Sequence, residues 1–208
     1  MKVLVTKADF QNQQTLNNLK STLNYLLESN IVPILNTNDA IAYPECKDID
    51  GAVNINDNDS LAARLATMTD SDLLLLMSDV EGVYNKPPSE TGSRIFYNFN
   101  PQVDGKGINF GEKSNVGTGG MESKISAARF ALENNCSVVI CNGKKQNAIV
   151  DIVKGKKVGT FFTNEAQGIS NEILAMNGNY LKNKIKLYYI YDDLYNKLIF
   201  FYNTELMI

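Results

Sequence analysis

Apolar residues recur with two different spacings along residues 1–163, and the spacings predict alternating strands and helices. Apolar positions three or four residues apart predict helices, and they occur over residues 13–29, 61–66, 120–134 and 148–153. Short apolar runs predict strands, and they occur at residues 3–5, 31–35, 73–77, 137–141 and 158–162. Repeated strand–helix alternation is typical of an α/β fold with a mainly parallel sheet.

Local signals refine several of these elements. Residues 73–77 are apolar without alternation, which is typical of a parallel strand covered on both faces. Pro33 indicates an edge strand or the start of a strand. We expect Asp59 or Ser60 to cap the helix over residues 61–66. Residues 81–119 are rich in Gly, Pro and polar residues, and we expect short hairpins over the edge of the sheet.

The character of the chain changes after Thr163. Residues 164–208 are dominated by Asn, Lys, Tyr and Ile, and their apolar positions show no clean period. A stable domain of about 45 residues normally needs disulfides, a metal or a partner. The sequence therefore predicts one domain over residues 1–163 and a loosely ordered tail over residues 164–208.

The composition excludes several classes of protein. The net charge of −3 over 208 residues argues against a nucleic-acid-binding protein, which normally carries a basic excess. The apolar runs are all shorter than the roughly 18 residues that span a membrane. The chain has no histidine, which excludes a Ser-His-Asp triad and a His-ligated metal site built from this chain.

The three cysteines are too few for a four-cysteine metal site. Cys141 ends an apolar run and Cys136 precedes that run, so we expect both to be reduced and Cys141 to be buried. None of the three, Cys46 included, has a visible base beside it, and we expect no catalytic role for them.

A glycine-rich segment precedes the helix predicted over residues 120–134. Gly117, Thr118, Gly119 and Gly120 let successive backbone N–H groups turn toward one point, where the helix start adds its dipole. Lys124 lies about one turn into the helix, where its ammonium group can reach the same anion. The segment predicts a phosphate site or, alternatively, an ordinary glycine-rich turn, because it matches neither a Walker loop nor a dinucleotide fingerprint.

Three polar clusters follow predicted strands or begin a predicted helix. In open α/β sheets, ligands bind at the carboxyl ends of the strands. Each cluster also has a purely structural interpretation, as an Asx turn, a helix cap or a simple turn. The clusters are Asn36-Thr37-Asn38-Asp39, Asp57-Asn58-Asp59-Ser60 and Ser78-Asp79.

A parallel sheet would bring these clusters and the glycine-rich segment to one edge. A phosphate loop, a lysine and several Asp and Asn groups without histidine point to phosphoryl transfer. That chemistry depends on positioning and charge neutralisation, so it does not need an imidazole.

Five motifs follow one another along the chain: NTNDA at 36–40, DNDSLAA at 57–63, SDVEG at 78–82, GTGGMESK at 117–124 and GKKVGTF at 155–161. In this order they resemble the glutamate 5-kinase module of the amino acid kinase family. The resemblance covers about residues 1–163 and is strongest to the kinase part of the delta-1-pyrroline-5-carboxylate synthases. It implies a three-layer α/β/α amino acid kinase fold that is incomplete at its N-terminus.

The resemblance implies a reaction of ATP with L-glutamate that gives ADP and L-glutamyl 5-phosphate, in proline and ornithine biosynthesis. Mg²⁺ would bridge oxygens of the nucleotide. The attacking carboxylate of the substrate is already ionised at pH 7, so the reaction needs no general base.

The resemblance also implies roles for individual residues. Asp39 and Asn58 would hold glutamate, Asp59 would orient the catalytic lysine, and Lys124 would stabilise charge on the transferring phosphoryl group. The implied nucleotide contacts are Ser78, Asp79, Thr118, Gly119, Gly120, Met121, Glu122, Ser123 and Lys124.

Further expectations and alternatives follow from the resemblance. Relatives carry a first strand and a loop with a second lysine before the position of Met1, so we expect a truncated chain that does not turn over alone. Such a chain could instead bind nucleotide or full-length subunits, or be a kinase for aspartate, acetylglutamate, carbamate or UMP. We expect a homo-oligomer that is mitochondrial, as in animal relatives, or otherwise cytoplasmic, with no targeting segment in the chain.

Overall fold

A computed structural model describes residues 1–38, 57–104, 120–162, 187–192 and 197–202. The helices in these ranges are α1 (Gln13–Glu28), α2 (Asn58–Met68), α3 (Met121–Glu133) and α4 (Ala148–Val153). The strands are β1 (Lys2–Val5), β2 (Ile34–Thr37), β3 (Leu73–Ser78), β4 (Asn98–Phe99), β5 (Ser137–Asn142), β6 (Thr160–Phe162), β7 (Leu187–Asp192) and β8 (Lys197–Tyr202).

The described strands form one sheet in the order β1-β2-β7-β8-β3-β5-β6-β4. Four neighbouring pairs are parallel: β1 with β2, β2 with β7, β3 with β5, and β4 with β6. The β8 strand is antiparallel to both of its neighbours, and β6 is antiparallel to β5. The predicted α/β class with a mainly parallel sheet is confirmed.

Helices cover both faces of the sheet around β3, so the molecule has three layers. On one face, Leu74 and Leu76 share a core cluster with side chains of α1, α2 and α3. On the other face, Leu73, Leu75 and Met77 pack with side chains of α4. Full burial of each such leucine contributes about 1.5–3 kcal/mol, and it explains why residues 73–77 are apolar at every position.

Pairing with neighbouring strands sets bounds that the apolar pattern alone does not. The strand predicted over residues 31–35 is observed at Ile34–Thr37, because polar Asn36 and Thr37 pair with Leu4 and Val5 of β1. The strand predicted over residues 158–162 begins only at Thr160. Gly159 before it has a φ of +76°, in the left-handed region that interrupts a strand.

The described part of residues 81–119 forms short antiparallel structure at the edge of the sheet, as predicted. Tyr84 and Ile95 form an antiparallel bridge. The short strand β4 then pairs with β6 and lies last in the strand order. Phe99 of β4 and Phe162 of β6 are fully buried, with ring centroids 5.2 Å apart, so this edge is fastened to the core.

Two strands lie within residues 164–208, where the sequence pattern predicts only a loosely ordered tail. Strands β7 and β8 pair with each other and stand between β2 and β3. Residues 199–202 of β8 pair antiparallel with residues 73–76 of β3. The division of the chain into a domain over 1–163 and a separate tail stays a prediction.

Among the residues that the structure describes, none of the helices is both long and apolar enough to cross a membrane.

Candidate functional site

The topology brings the starts of α2 and α3 to one edge of the sheet. Residues 69–72 join α2 to β3, and residues 134–136 join α3 to β5. Each helix therefore runs back along the strand that follows it, and its start lies at the carboxyl end of that strand. The two strands are parallel and in register, from Leu73 opposite Ser137 to Ser78 opposite Asn142. Both helix starts consequently lie at the edge where ligands bind in α/β sheets.

The two helices pack side by side in the same direction. Contacts between them occur in the same order along both helices: Asp57 contacts Ser123 at the helix starts, and the Arg64 guanidinium lies 5.6 Å from the ring centroid of Phe130 further along. Small side chains line the packed faces and allow a close approach. The fully buried alanines of this core cluster are Ala62, Ala63, Ala66, Ala127, Ala128 and Ala131.

A buried ion pair joins the two helix starts. The Nζ of Lys124 donates to Oδ2 of Asp59 over 2.7 Å, and the two side chains are 4% and 7% exposed. In this buried pair each group is the charge partner of the other. The structure therefore brings together the two residues that the resemblance marks as catalytic.

Asp57 caps α2 and also reaches α3. Its Oδ1 accepts a hydrogen bond from the backbone N–H of Ser60 over 2.7 Å, and its Oδ2 accepts one from the hydroxyl of Ser123. The prediction that Asp59 or Ser60 caps this helix is wrong. Both residues lie inside the first turn of α2, which begins at Asn58, and the Asp59 carboxylate is engaged by Lys124.

The start of α3 has no comparable cap from its N-cap residue. That residue is Gly120, in an extended conformation with φ −82° and ψ −171°, and it has no side chain with which to cap the helix. The first N–H groups of a helix have no acceptor within the helix, and they carry the positive end of its dipole. Lys124 adds a positive charge one turn further on. This helix start is therefore suited to an anion such as a phosphate group.

The carboxyl ends of β3 and β5 are bound together at the same edge. Ser78 is buried, and its hydroxyl donates to Oδ1 of Asp79 over 3.1 Å. The backbone N–H of Gly143 donates to the carbonyl of Ser78 over 2.7 Å. The Nδ2 of Asn142 donates to Oε1 of Glu81 over 2.7 Å. These contacts hold exposed Asp79 beside a fixed strand end.

Sequence reasoning missed part of this edge. Asn142 and Gly143 follow the run at 137–141 as an Asn-Gly pair, and that pair was the available signal. A Cβ on Gly143 would lie 3.3 Å from the Cβ of Met77, so a glycine suits the close approach to β3. The contact between Asp57 and Ser123 had no sequence signal, since 66 residues separate the two.

The remaining predicted site residues are placed as follows. Asn58 is the first residue of α2, and Met121 and Glu122 are the first two residues of α3. Glu122 is exposed in the first turn, where a carboxylate complements the helix dipole. Asp39, Thr118 and Gly119 lie outside the described residues, so their predicted contacts stay predictions.

Cys136 and Cys141 are buried, and their thiols are unreactive. Burial raises the pKa of the Cys136 thiol to about 12, with a smaller contribution from Asp72. Burial likewise raises the pKa of Cys141 to about 12, assisted by the charge of Glu81 and opposed by Lys145. Both thiols are therefore protonated near neutral pH and are poor nucleophiles. Cys46 lies outside the described residues.

Comparison with known proteins identifies relatives of this chain. Residues 2–142 match the amino acid kinase family. The chain is 42% identical over 175 residues to delta-1-pyrroline-5-carboxylate synthase 2 of Oryza sativa subsp. japonica, covering 83% of this chain and 24% of the rice protein. It is 36% identical over 164 residues to glutamate 5-kinase of Clostridium perfringens, covering 77% of this chain and 59% of that enzyme.

A solved structure supports the fold. The UMP kinase from Bacillus anthracis superposes with a TM-score of 0.51 at 15% identity, covering 79% of this chain and 59% of that one. The sequence relatives are longer proteins, since the chain spans 24% of the rice synthase and 59% of the clostridial kinase. Because the family match covers well over half of the 208 residues, the chain belongs to the amino acid kinase family.

Proposed function

We propose that the start of α3 binds the phosphates of ATP and that Lys124 stabilises negative charge on the transferring γ-phosphoryl group. The buried Lys124–Asp59 pair beside the uncapped helix start carries this proposal. Asp59 holds the lysine in place at a helix start whose N-cap residue supplies no capping side chain. A fixed positive charge and oriented N–H donors are the groups that lower the barrier to phosphoryl transfer.

The proposed phosphoryl acceptor is the side-chain carboxylate of L-glutamate. A carboxylate oxygen attacks the γ-phosphorus of ATP, the bond from that phosphorus to the bridging oxygen breaks, and ADP leaves with the bonding electrons. The products are L-glutamyl 5-phosphate and ADP. No proton is transferred, which suits a chain without histidine. The similarity to proteins named glutamate 5-kinase and delta-1-pyrroline-5-carboxylate synthase supports this choice of acceptor and a place in proline biosynthesis.

Other residues complete the proposed site. Asp39 and Asn58 hold glutamate, and Ser78 and Asp79 contact the nucleotide. Backbone groups of Thr118, Gly119, Gly120, Met121 and Glu122 surround its phosphates.

Mg²⁺ is proposed to enter with the nucleotide. Proteins usually hold this ion through one or two carboxylates together with substrate phosphates. Exposed Asp79, at the strand end beside the helix starts, fits that requirement. When bound, the ion neutralises charge on the phosphate oxygens. A homo-oligomeric state and a mitochondrial location rest on the resemblance and belong to the same proposal.

A coupled assay of ADP release tests the activity. Any ADP release that this chain supports should depend on glutamate and be lost in Lys124→Ala, while Lys20→Ala is unaffected because Lys20 lies on the exposed side of α1. Glutamate-dependent release that survives Lys124→Ala would contradict the role of this lysine. Absence of release with the wild-type chain would contradict turnover by this chain. Release that follows aspartate or UMP in place of glutamate would contradict the acceptor.

A further inference from the structure

Ser123 lies in the segment expected to contact nucleotide, yet its side chain faces the neighbouring helix. Its hydroxyl donates to Oδ2 of Asp57, which belongs to the start of α2. The other oxygen of Asp57 caps its own helix at the N–H of Ser60. One carboxylate therefore fastens the first turns of both helices. We infer that Ser123 is a positioning residue that acts through Asp57 to fix Lys124, and that it does not bind the nucleotide through its hydroxyl.

The order of the contacts supports this inference. Ser123 and Lys124 are adjacent on α3, and their partners Asp57 and Asp59 lie on one helix start. Gly120 has no side chain with which to hold the first turn of α3. The hydroxyl of Ser123 contacts Asp57 and so links this turn to the cap of α2. Slippage of this turn would move Lys124 away from Asp59. The Asp57–Ser123 contact therefore sets the position at which the lysine meets the nucleotide.

A serine committed to a carboxylate is also a poor nucleotide ligand. Its hydroxyl has one proton to donate, and Asp57 accepts it. A phosphate oxygen would have to compete with a charged acceptor for that proton. The nucleotide contacts of this turn are then made by backbone N–H groups and by Lys124.

Three variants separate the positioning role from simple stability. Ser123→Ala removes the hydroxyl, and Ser123→Thr retains it. Asp57→Ser keeps an N-cap for α2, since serine caps helices well, but it is too short to reach across to Ser123. Ser126→Ala is the matched control, because Ser126 is an exposed serine of the same helix.

The first readout is acylation of Lys124 in the folded wild-type and variant chains, followed by mass spectrometry relative to Lys20. Lys124 is 3% exposed and resists the reagent while the contact holds. We expect Ser123→Ala and Asp57→Ser each to raise its labelling about fivefold, the scale of one lost hydrogen bond. We expect Ser123→Thr and Ser126→Ala to stay within about twofold of wild type. The double variant should match either single variant, because both changes break the same contact.

The second readout is titration of the same proteins with Mg-ATP. This inference rests on the proposed nucleotide site. ATP binding tests that site and Lys124 labelling tests the positioning role, so failure of one can be told from failure of the other. If wild type binds no ATP, the proposed function fails while Lys124 labelling still decides the positioning role. Weaker ATP binding in Ser123→Ala with unchanged Lys124 labelling would show direct nucleotide contact and overturn the inference. The inference would also be overturned if the increases in Lys124 labelling caused by Ser123→Ala and Asp57→Ser multiplied in the double variant.

Discussion

The starts of α2 and α3 lie side by side, yet they are completed in opposite ways. Asp57 caps α2 and satisfies the N–H of Ser60. Gly120 precedes α3 and provides no capping side chain. At the capped start of α2, a side chain of the protein itself accepts the hydrogen bond of the helix N–H group, and this start positions Asp59 and Ser123. We propose that the first N–H groups of α3, which Gly120 does not cap, bind a ligand. Two helix starts at one sheet edge can thus divide support and binding between them.

The largest expected effect comes from breaking the ion pair that joins the two starts. Asp59→Ala leaves the Lys124 ammonium buried without its partner, and such a loss costs about 3–5 kcal/mol of unfolding free energy. Urea denaturation measures this cost. In the double variant Asp59→Ala with Lys124→Met the buried charge is also gone, and we expect a smaller loss than in Asp59→Ala. An Asp59→Ala protein as stable as wild type would show that the pair is not buried in solution.

The next largest loss of unfolding free energy is expected when the cap of α2 is removed. Asp57→Ala takes away the acceptor of the Ser60 N–H and of the Ser123 hydroxyl. Loss of an N-cap costs about 1–2 kcal/mol, which chemical denaturation resolves. Asp57→Asn keeps a good capping group and should retain most of that stability. Equal destabilisation by Ala and Asn would indicate that the charge, and not the cap, supports α2.

A smaller change, this time a gain in unfolding free energy, is expected at the start of α3. Gly120→Asp supplies a side chain that can cap α3, and we expect a gain of about 0.5–1 kcal/mol in unfolding free energy. Thermal unfolding measures it, with Gly120→Ala as the control that adds a methyl group and no acceptor. A loss of stability in Gly120→Asp with none in Gly120→Ala would mean that the start of α3 is not open.

The smallest effect is expected at an exposed ion pair, which sharpens the contrast with the buried one. Lys20 and Asp70 approach to 2.6 Å with side chains 38% and 76% exposed. Solvent screening limits such pairs to about 0.2–1 kcal/mol. Lys20→Ala should therefore change the unfolding midpoint little, and its effect should fade with added salt. A cost near that of Asp59→Ala would contradict the argument from burial.

The sequence predicted elements whose apolar pattern reflects burial by neighbouring helices. Residues 73–77 and 137–141 have side chains covered on the two faces of the sheet, so their positions in strands β3 and β5 followed directly. The helix predicted over residues 148–153 has these bounds in the structure. Where pairing with another strand decides the register, as at polar Asn36 and Thr37, the pattern failed.

The candidate site divides in the same way. Lys124 was predicted from local signals, a glycine-rich segment and the helix start that follows it, whereas the family resemblance implied the role of Asp59. The link from Asp57 to Ser123 could not be predicted, because the packing of two helices brings these residues together.

The motif at 155–161 illustrates a different limit. A Cβ on Gly159 would overlap the carbonyl oxygen of Ile140, so this glycine allows β6 to lie against β5. A motif that suggests a family can therefore reflect the needs of the fold.

Calorimetric titration of Mg-ATP into wild type and Gly120→Asp tests most directly whether the uncapped start of α3 holds the nucleotide. The added carboxylate would occupy the N–H groups and repel the phosphates. We predict that wild type binds and that Gly120→Asp binds at least about tenfold more weakly while being no less stable. Equal ATP affinity of the two proteins would contradict the account.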